Sequence, residues 1–288
     1  MDTSFIEERR AAYAGTQTRE LIVAGSGPTV LLAHGFGDTA DTWRPVLNLL
    51  HDAKQAAVAV DLPGFGEADP LADGELLPQL DAFLAAAIRA YAGAEGVVVV
   101  GNSLGAAAAA RAGRNKDLPV AAVMALDIAG ITWTPLAASV RPLAAGLRIA
   151  SAMPIPRPVH RGVLASSLSR LLYGDRSAVD PAVVARFADN YPDLSVTHRY
   201  IRLGARFKAE LDCTRRHGGI GVRMTVIHGA RDLLVPVSAS RVLHQSNPSS
   251  RLIVIDSAGH CPQLDAAAVV ARHARQLAVT STADEEIS

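Results

Sequence analysis

Residues 101–105 read GNSLG, a serine set between two glycines. Four valines (97–100) precede the motif and five alanines (106–110) follow it. The valine run predicts a buried strand and the alanine run a helix, so Ser103 stands at the turn between them. Such a turn projects a hydroxyl clear of the sheet, where it can attack a carbonyl carbon. It also strains the serine backbone, at a cost of about 1–3 kcal/mol. Side chains beside the serine would collide in so tight a turn, which accounts for Gly101 and Gly105. The following helix directs its positive N-terminal end at the place where negative charge develops.

A serine hydroxyl is a weak nucleophile and needs a base, and the base needs a group to orient it. Asp232 lies in HGARDLLVP, just past a strand ending at His228, and His260 lies in SAGHCPQLD, just past one ending at Asp256. Either alone is an ordinary loop residue. All three candidates, however, follow the carboxyl ends of strands, in the order Ser, Asp, His, separated by 129 and 28 residues.

The elements that must position them follow from the apolar pattern. Strands are expected at 19–24, 29–34, 55–61, 97–100, 120–127, 222–228 and 251–256. Helices are expected at 45–52, 77–91, 104–113, 237–246 and 262–278, and residues 4–13 have helical character. Several strands are continuous apolar runs, the mark of strands buried on both faces. Strands alternating with helices predict an α/β fold, a mostly parallel central sheet with helices on both faces. Ligand chemistry in such sheets gathers at the carboxyl ends of the strands. The rhythm breaks from 131 to 218, where seven prolines interrupt helical pieces. This stretch reads as a helical cap inserted into a core made of 1–130 and 219–288. The cap carries 13 Arg and Lys against 6 Asp and Glu, a balance of +7; the whole chain has 28 of each class, so the remainder carries −7. That asymmetry could dock the cap on the core or steer an anionic substrate. The tail from Thr280 is expected to fray.

Four motifs make the chain resemble the α/β-hydrolase fold superfamily, in its capped serine esterase form: HGFGDTADTW at 34–43, DLPGFGEAD at 61–69, GNSLG, and the Asp232/His260 pair. The resemblance spans Arg19 to Ala278 apart from the cap. It implies a Ser103–His260–Asp232 triad and an oxyanion hole formed by the backbone N–H groups of Phe36 and Leu104. It also implies that His34 braces its loop, that Asp61 ties the PGFG turn, and that Trp43 is core. Asp127, at the end of the strand after the nucleophile, is the alternative acid. Cys261 is expected in the pocket wall rather than as a nucleophile. Substrate-binding walls are expected from Phe36, Ile131, Trp133 and Val235. The family's acid-nucleophile branches need aspartate where Ser103 stands.

The expected activity is hydrolysis of a carboxylic ester through an acyl-enzyme. Three alternatives share the motifs: carbon–carbon hydrolysis of ring-cleavage products, cofactor-free perhydrolysis or acyl transfer, and a receptor that retains the triad with little turnover. The first of these often carries tryptophan after the catalytic histidine, where this chain has Cys261. No cofactor and no metal is expected, and the partner is a small apolar or ester substrate. The chain has 288 residues, 49% hydrophobic and 19% charged, with zero formal net charge. It therefore reads as globular, with no bulk charge to draw nucleic acid. No apolar run reaches the length of a membrane span, no signal-peptide core opens the sequence, and two cysteines make no disulfide framework. A cytoplasmic location is expected. Oligomeric state is left open.

Overall fold

The computed structural model describes residues 5–139, 155–213 and 219–283. Eight strands form one sheet: β1 (Glu7–Tyr13), β2 (Thr16–Val23), β3 (Ser26–Ala33), β4 (Gln55–Val60), β5 (Val97–Asn102), β6 (Val120–Leu126), β7 (Arg223–Gly229) and β8 (Arg251–Ile255). Their spatial order is β1-β2-β4-β3-β5-β6-β7-β8. β1 pairs antiparallel with β2, and β2 with β4; every other pair is parallel. The architecture is the expected α/β sheet of the α/β-hydrolase fold. Strand order turns at β3, which has β4 on one side and β5 on the other. The crevice that opens at such a turning point is where sheets of this kind bind ligands.

Alternation along each strand divides the core. Val97 and Val99 pack into one apolar cluster and Val98 and Val100 into the opposite one. On the first face lie α2 (Leu76–Tyr91), α3 (Leu104–Ala112) and α8 (Val237–Gln245); on the second, α1 (Arg44–Asp52) and α10 (Ala267–Ala283). None of the four valines exposes any surface, and burying each contributes about 1.5–3 kcal/mol. The alanine face of α3 lets that helix sit close against the sheet.

Two expectations change. Residues 7–13, EERRAAY, form the edge strand β1, not a helix. Their alanines and charges suit a helix locally, but pairing with β2 decides, and the charges guard an exposed edge. The Glu20 carboxylate, reached by Arg9 and Tyr13, fastens that edge. The last helical stretch breaks at Ala266 into α9 (Pro262–Asp265) and α10.

Between β6 and β7 the chain leaves the sheet. The described part of this excursion holds α4 (Pro135–Ala138), α5 (Arg157–Leu172), α6 (Pro181–Asp189) and α7 (Leu194–Cys213). Residues 140–154 and 214–218 of the expected cap lie outside the described residues. No helix among the described residues is long and apolar enough to cross a membrane.

Candidate active site

Ser103 sits between β5 and α3 with φ +53° and ψ −109°, a backbone region that non-glycine residues enter only where surroundings enforce it. The enforcement is visible. Its N–H donates to the Leu126 carbonyl at 2.8 Å, and its carbonyl accepts from Ala107 at 3.1 Å and Ala129 at 3.2 Å. A Cβ at Gly101 would overlap the Gly105 backbone, and one at Gly105 would overlap the Ala33 carbonyl. Both glycines are therefore demanded by sterics.

Next to β5, the loop after β3 crosses the elbow so closely that a Cβ on Gly35 would stand 3.3 Å from the Ser103 Cβ. His34 shapes this loop: its Nδ1 meets the Gly35 carbonyl at 2.7 Å and its Nε2 accepts from the Leu62 N–H at 2.9 Å. Burial pushes its pKa down, which suits a neutral ring with one donor and one acceptor. Asp61 ties the two neighbouring loops together by accepting from Ala40 N–H (2.7 Å), Glu67 N–H (2.9 Å) and Arg19 Nε (3.0 Å). Trp43 is fully buried.

The base candidate is held from three sides. His260 Nδ1 lies 2.7 Å from Asp232 Oδ2. A carboxylate only accepts, so Nδ1 carries the hydrogen and Nε2 keeps its lone pair. Asp232 Oδ1 accepts from the N–H groups of Leu234 (2.7 Å) and Val235 (3.0 Å). Burial pushes the Asp232 carboxyl up, but His260 and these N–H groups outweigh it and hold its pKa below the usual carboxylate range. Asn102, the residue before Ser103, donates from Nδ2 to the His260 carbonyl at 2.9 Å and so ties the nucleophile turn to the histidine loop. Asp265 Oδ2 accepts from Gly259 (2.7 Å) and Gly174 (2.9 Å), and the Cys261 N–H donates to the Leu172 carbonyl at 3.0 Å. The β6–β7 excursion is thus stitched to the histidine loop. A Cβ on Gly174 or on Gly259 would overlap the other segment's backbone.

Ser103 and His260 share the wall of a cavity of about 260 Å³, with Phe36, Leu104, Trp133 and Val235 among its other lining residues. Most of the lining is apolar. Trp133 Nε1 donates to Asp212 Oδ1 at 2.8 Å, and Lys208 Nζ donates to Asp212 Oδ2 at 2.7 Å. Ile131 is placed elsewhere: it lines an adjoining cavity of about 560 Å³ behind α3. Cys261 is buried in the wall, and burial pushes its thiol pKa up, away from the reactive thiolate.

Sequence reasoning missed Asn102, Asp38 and Tyr191. Asp38 is buried beside the pocket, and burial pushes its carboxyl well above the usual range. The Tyr191 hydroxyl, from the excursion, donates to the Gly37 carbonyl at 3.3 Å. The Phe36 ring packs edge-on against Phe65 of the core and Tyr200 and Phe207 of α7, with centroids 5.1, 6.2 and 6.1 Å away.

Among the described residues, Asp127, Asp232 and His260 form a group of metal-ligating types, with ligand atoms within 4.8 Å of one another. The hydrogen bond between Asp232 and His260 already engages two of these groups, an arrangement better suited to moving a proton than to holding a cation.

Residues 28–267 match the family model of the alpha/beta hydrolase fold. The chain belongs to this family. An uncharacterised protein of Mycobacterium bovis is 25% identical over 255 residues, covering 85% of this chain and 73% of the relative. An esterase of Mycobacterium tuberculosis is 45% identical over 89 residues, 30% of this chain and 28% of the relative. Among solved structures, the 2-hydroxy-6-oxo-6-phenylhexa-2,4-dienoate hydrolase of Rhodococcus superposes with a TM-score of 0.75 at 21% identity, covering 94% of this chain and 98% of that one. At that identity the likeness shows the fold.

Proposed function

We propose that this α/β hydrolase family member is a serine hydrolase that cleaves a small, largely apolar carboxylic ester. The observation that carries the reading is the Asp232–His260 hydrogen bond of 2.7 Å, on a loop tied by Asn102 to the strained Ser103 turn. The esterase named above, similar over part of the chain, agrees with it.

In this reading Ser103 Oγ attacks the ester carbonyl while His260 Nε2 takes its proton. The Leu104 N–H, at the start of α3, and the Phe36 N–H, on the loop crossing the elbow, hold the oxyanion, each contributing about 3 kcal/mol to transition-state stabilisation. The imidazolium returns the proton to the departing alkoxide, and Asp232 fixes the tautomer and balances the charge. Water then repeats the sequence on the acyl-enzyme and releases the acid. The largely apolar cavity of about 260 Å³ receives the group next to the ester, with Trp133 and Val235 as walls.

Ser103→Ala should lower kcat/KM on a short p-nitrophenyl ester by on the order of 10⁴-fold. Equal rates for the native chain and the variant would overturn the proposal. Running the same pair on lactones, amides and vinylogous diketones separates ester cleavage from carbon–carbon cleavage.

A further inference from the structure

The scheme above uses one carboxylate, yet the structure places two beside His260. Asp127 follows β6 with a left-handed backbone, φ +46°. Its carboxyl is fully buried. Oδ1 accepts from the Gly229 N–H at 3.0 Å and lies 3.4 Å from His228 Nε2. Oδ2 has no hydrogen-bond partner. Ligand atoms of Asp127, Asp232 and His260 all lie within 4.8 Å of one another.

His228 offers no charge to settle this cluster. Its Nδ1 meets Ser240 Oγ at 2.8 Å and its Nε2 faces the Val235 carbonyl at 3.1 Å, a neutral ring satisfied on both sides. Burial pushes its pKa down as well. Asp265 adds another carboxyl at longer range. Two buried carboxylates this close cannot both ionise without a cation between them. The donor count decides which one holds the charge. Asp232 receives two backbone N–H groups and the His260 ring; Asp127 receives one backbone N–H and leaves an oxygen unpaired.

We propose that Asp127 and Asp232 form a carboxyl pair holding one proton and one negative charge between them, with Asp127 the protonated, positioning member. This rests on the serine-hydrolase reading for its kinetic consequence, but not for its structure. The Asp127 carboxyl carries the proton and donates it toward Asp232, and the charge sits on Asp232, facing His260. Should Asp232 lose its charge, Asp127 is close enough to supply one to the same imidazole. Burial first, and then the Asp232 charge, push the Asp127 carboxyl well above the usual range, in the same direction.

The test is a double-mutant cycle on the full chain with p-nitrophenyl butyrate. Asp127→Asn keeps shape and a hydrogen-bond donor, so it should lose far less kcat than Asp232→Asn. Asp232→Asn should then retain at least about tenfold more kcat than Asp127→Asn/Asp232→Asn, at similar KM. Equal rates for the single and double Asp232 variants, or a large loss from Asp127→Asn alone, would overturn the pair. Carboxyl-carbon NMR of aspartate-labelled protein reads the same question without disturbing Asp127. With Asp38→Asn removing the other aspartate that burial pushes well above the usual range, one aspartate signal, assigned by its loss in Asp127→Asn, should remain protonated at about pH 7, and its absence would refute the pair. If Ser103→Ala is as active as native, the hydrolase reading fails and the NMR result alone decides. If Ser103→Ala is inactive but the cycle shows no coupling, only the pair fails.

Discussion

The turn that carries Ser103 and the excursion between β6 and β7 meet at the same cavity but are built by different means. The turn is fixed by main chain. Three backbone hydrogen bonds hold Ser103, and two glycines stand where any side chain would overlap neighbouring backbone. The excursion reaches the pocket mostly through side chains: the Tyr191 hydroxyl, and Tyr200 and Phe207 against the Phe36 ring. Among the described residues its own apolar cluster is built around Leu172, Tyr173, Val183, Val184 and Phe187. Its α5 leaves Val159 and Val163 55% and 64% exposed, whereas Val97–Val100 of β5 expose none. Backbone geometry tolerates little change, while side-chain contacts can be exchanged one at a time. The core half of the site should therefore set whether chemistry occurs, and the excursion should tune what enters.

The sharpest way to break this contrast is Gly105→Ala. Its methyl has no room against the Ala33 carbonyl, and overpacking of this kind costs about 3 kcal/mol. A urea midpoint that stays within error of native would show that the turn has slack. Second in size is acid sensitivity. His34 and His228, both in the core half, have pKa values lowered chiefly by burial. Below about pH 6.5 the unfolded chain then binds more protons than the folded one, so stability falls as pH falls. Asp38 and Asp127 act with the opposite sign, since the folded chain retains protons that the unfolded chain releases above about pH 4. The two pairs oppose each other between about pH 5 and pH 6.5, so the check is made by difference: His34→Gln, if it folds, should lose less melting temperature than the native chain between about pH 7 and pH 5, and Asp38→Asn should lose more. Smallest is Tyr191→Phe. It removes one 3.3 Å contact to the Gly37 carbonyl while keeping the ring, and should change kcat/KM by about threefold or less. A loss approaching that of Ser103→Ala would erase the distinction between the two regions.

Legibility followed the same division. GNSLG, HGFGD and the Asp232 and His260 loops could be read because local sterics and strand ends dictate them over a few residues. The structure brings Ser103, His260 and Asp232 to one pocket region. Asn102 and Tyr191 could not be read, because each matters through partners far along the chain; Asp38 could not, because its local bond to the Thr39 N–H is ordinary and only its burial beside the pocket sets it apart. Asn102, for example, reaches the carbonyl of residue 260. Ile131 follows Gly130, whose backbone (φ +91°) packs against Leu211, and it lines the cavity behind α3. A strand-end rule places Ile131 near the site but cannot say on which side of the neighbouring helix it falls. β1 escaped notice for a related reason: its register comes from β2, not from its own composition.

The seam between Gly174 and Gly259 reaches beyond this chain's own chemistry. Two main chains touch there with no side chain on either, and one of them continues directly into the imidazole-bearing residue. A foreign helical module spliced in between β6 and β7 could differ in length and sequence, provided it presented a bare α-carbon at that point. A module arriving with even a methyl group there would push on residue 259, and through it would misalign the base at 260. Transplants aimed at new selectivity in this scaffold should therefore be screened first at that single position.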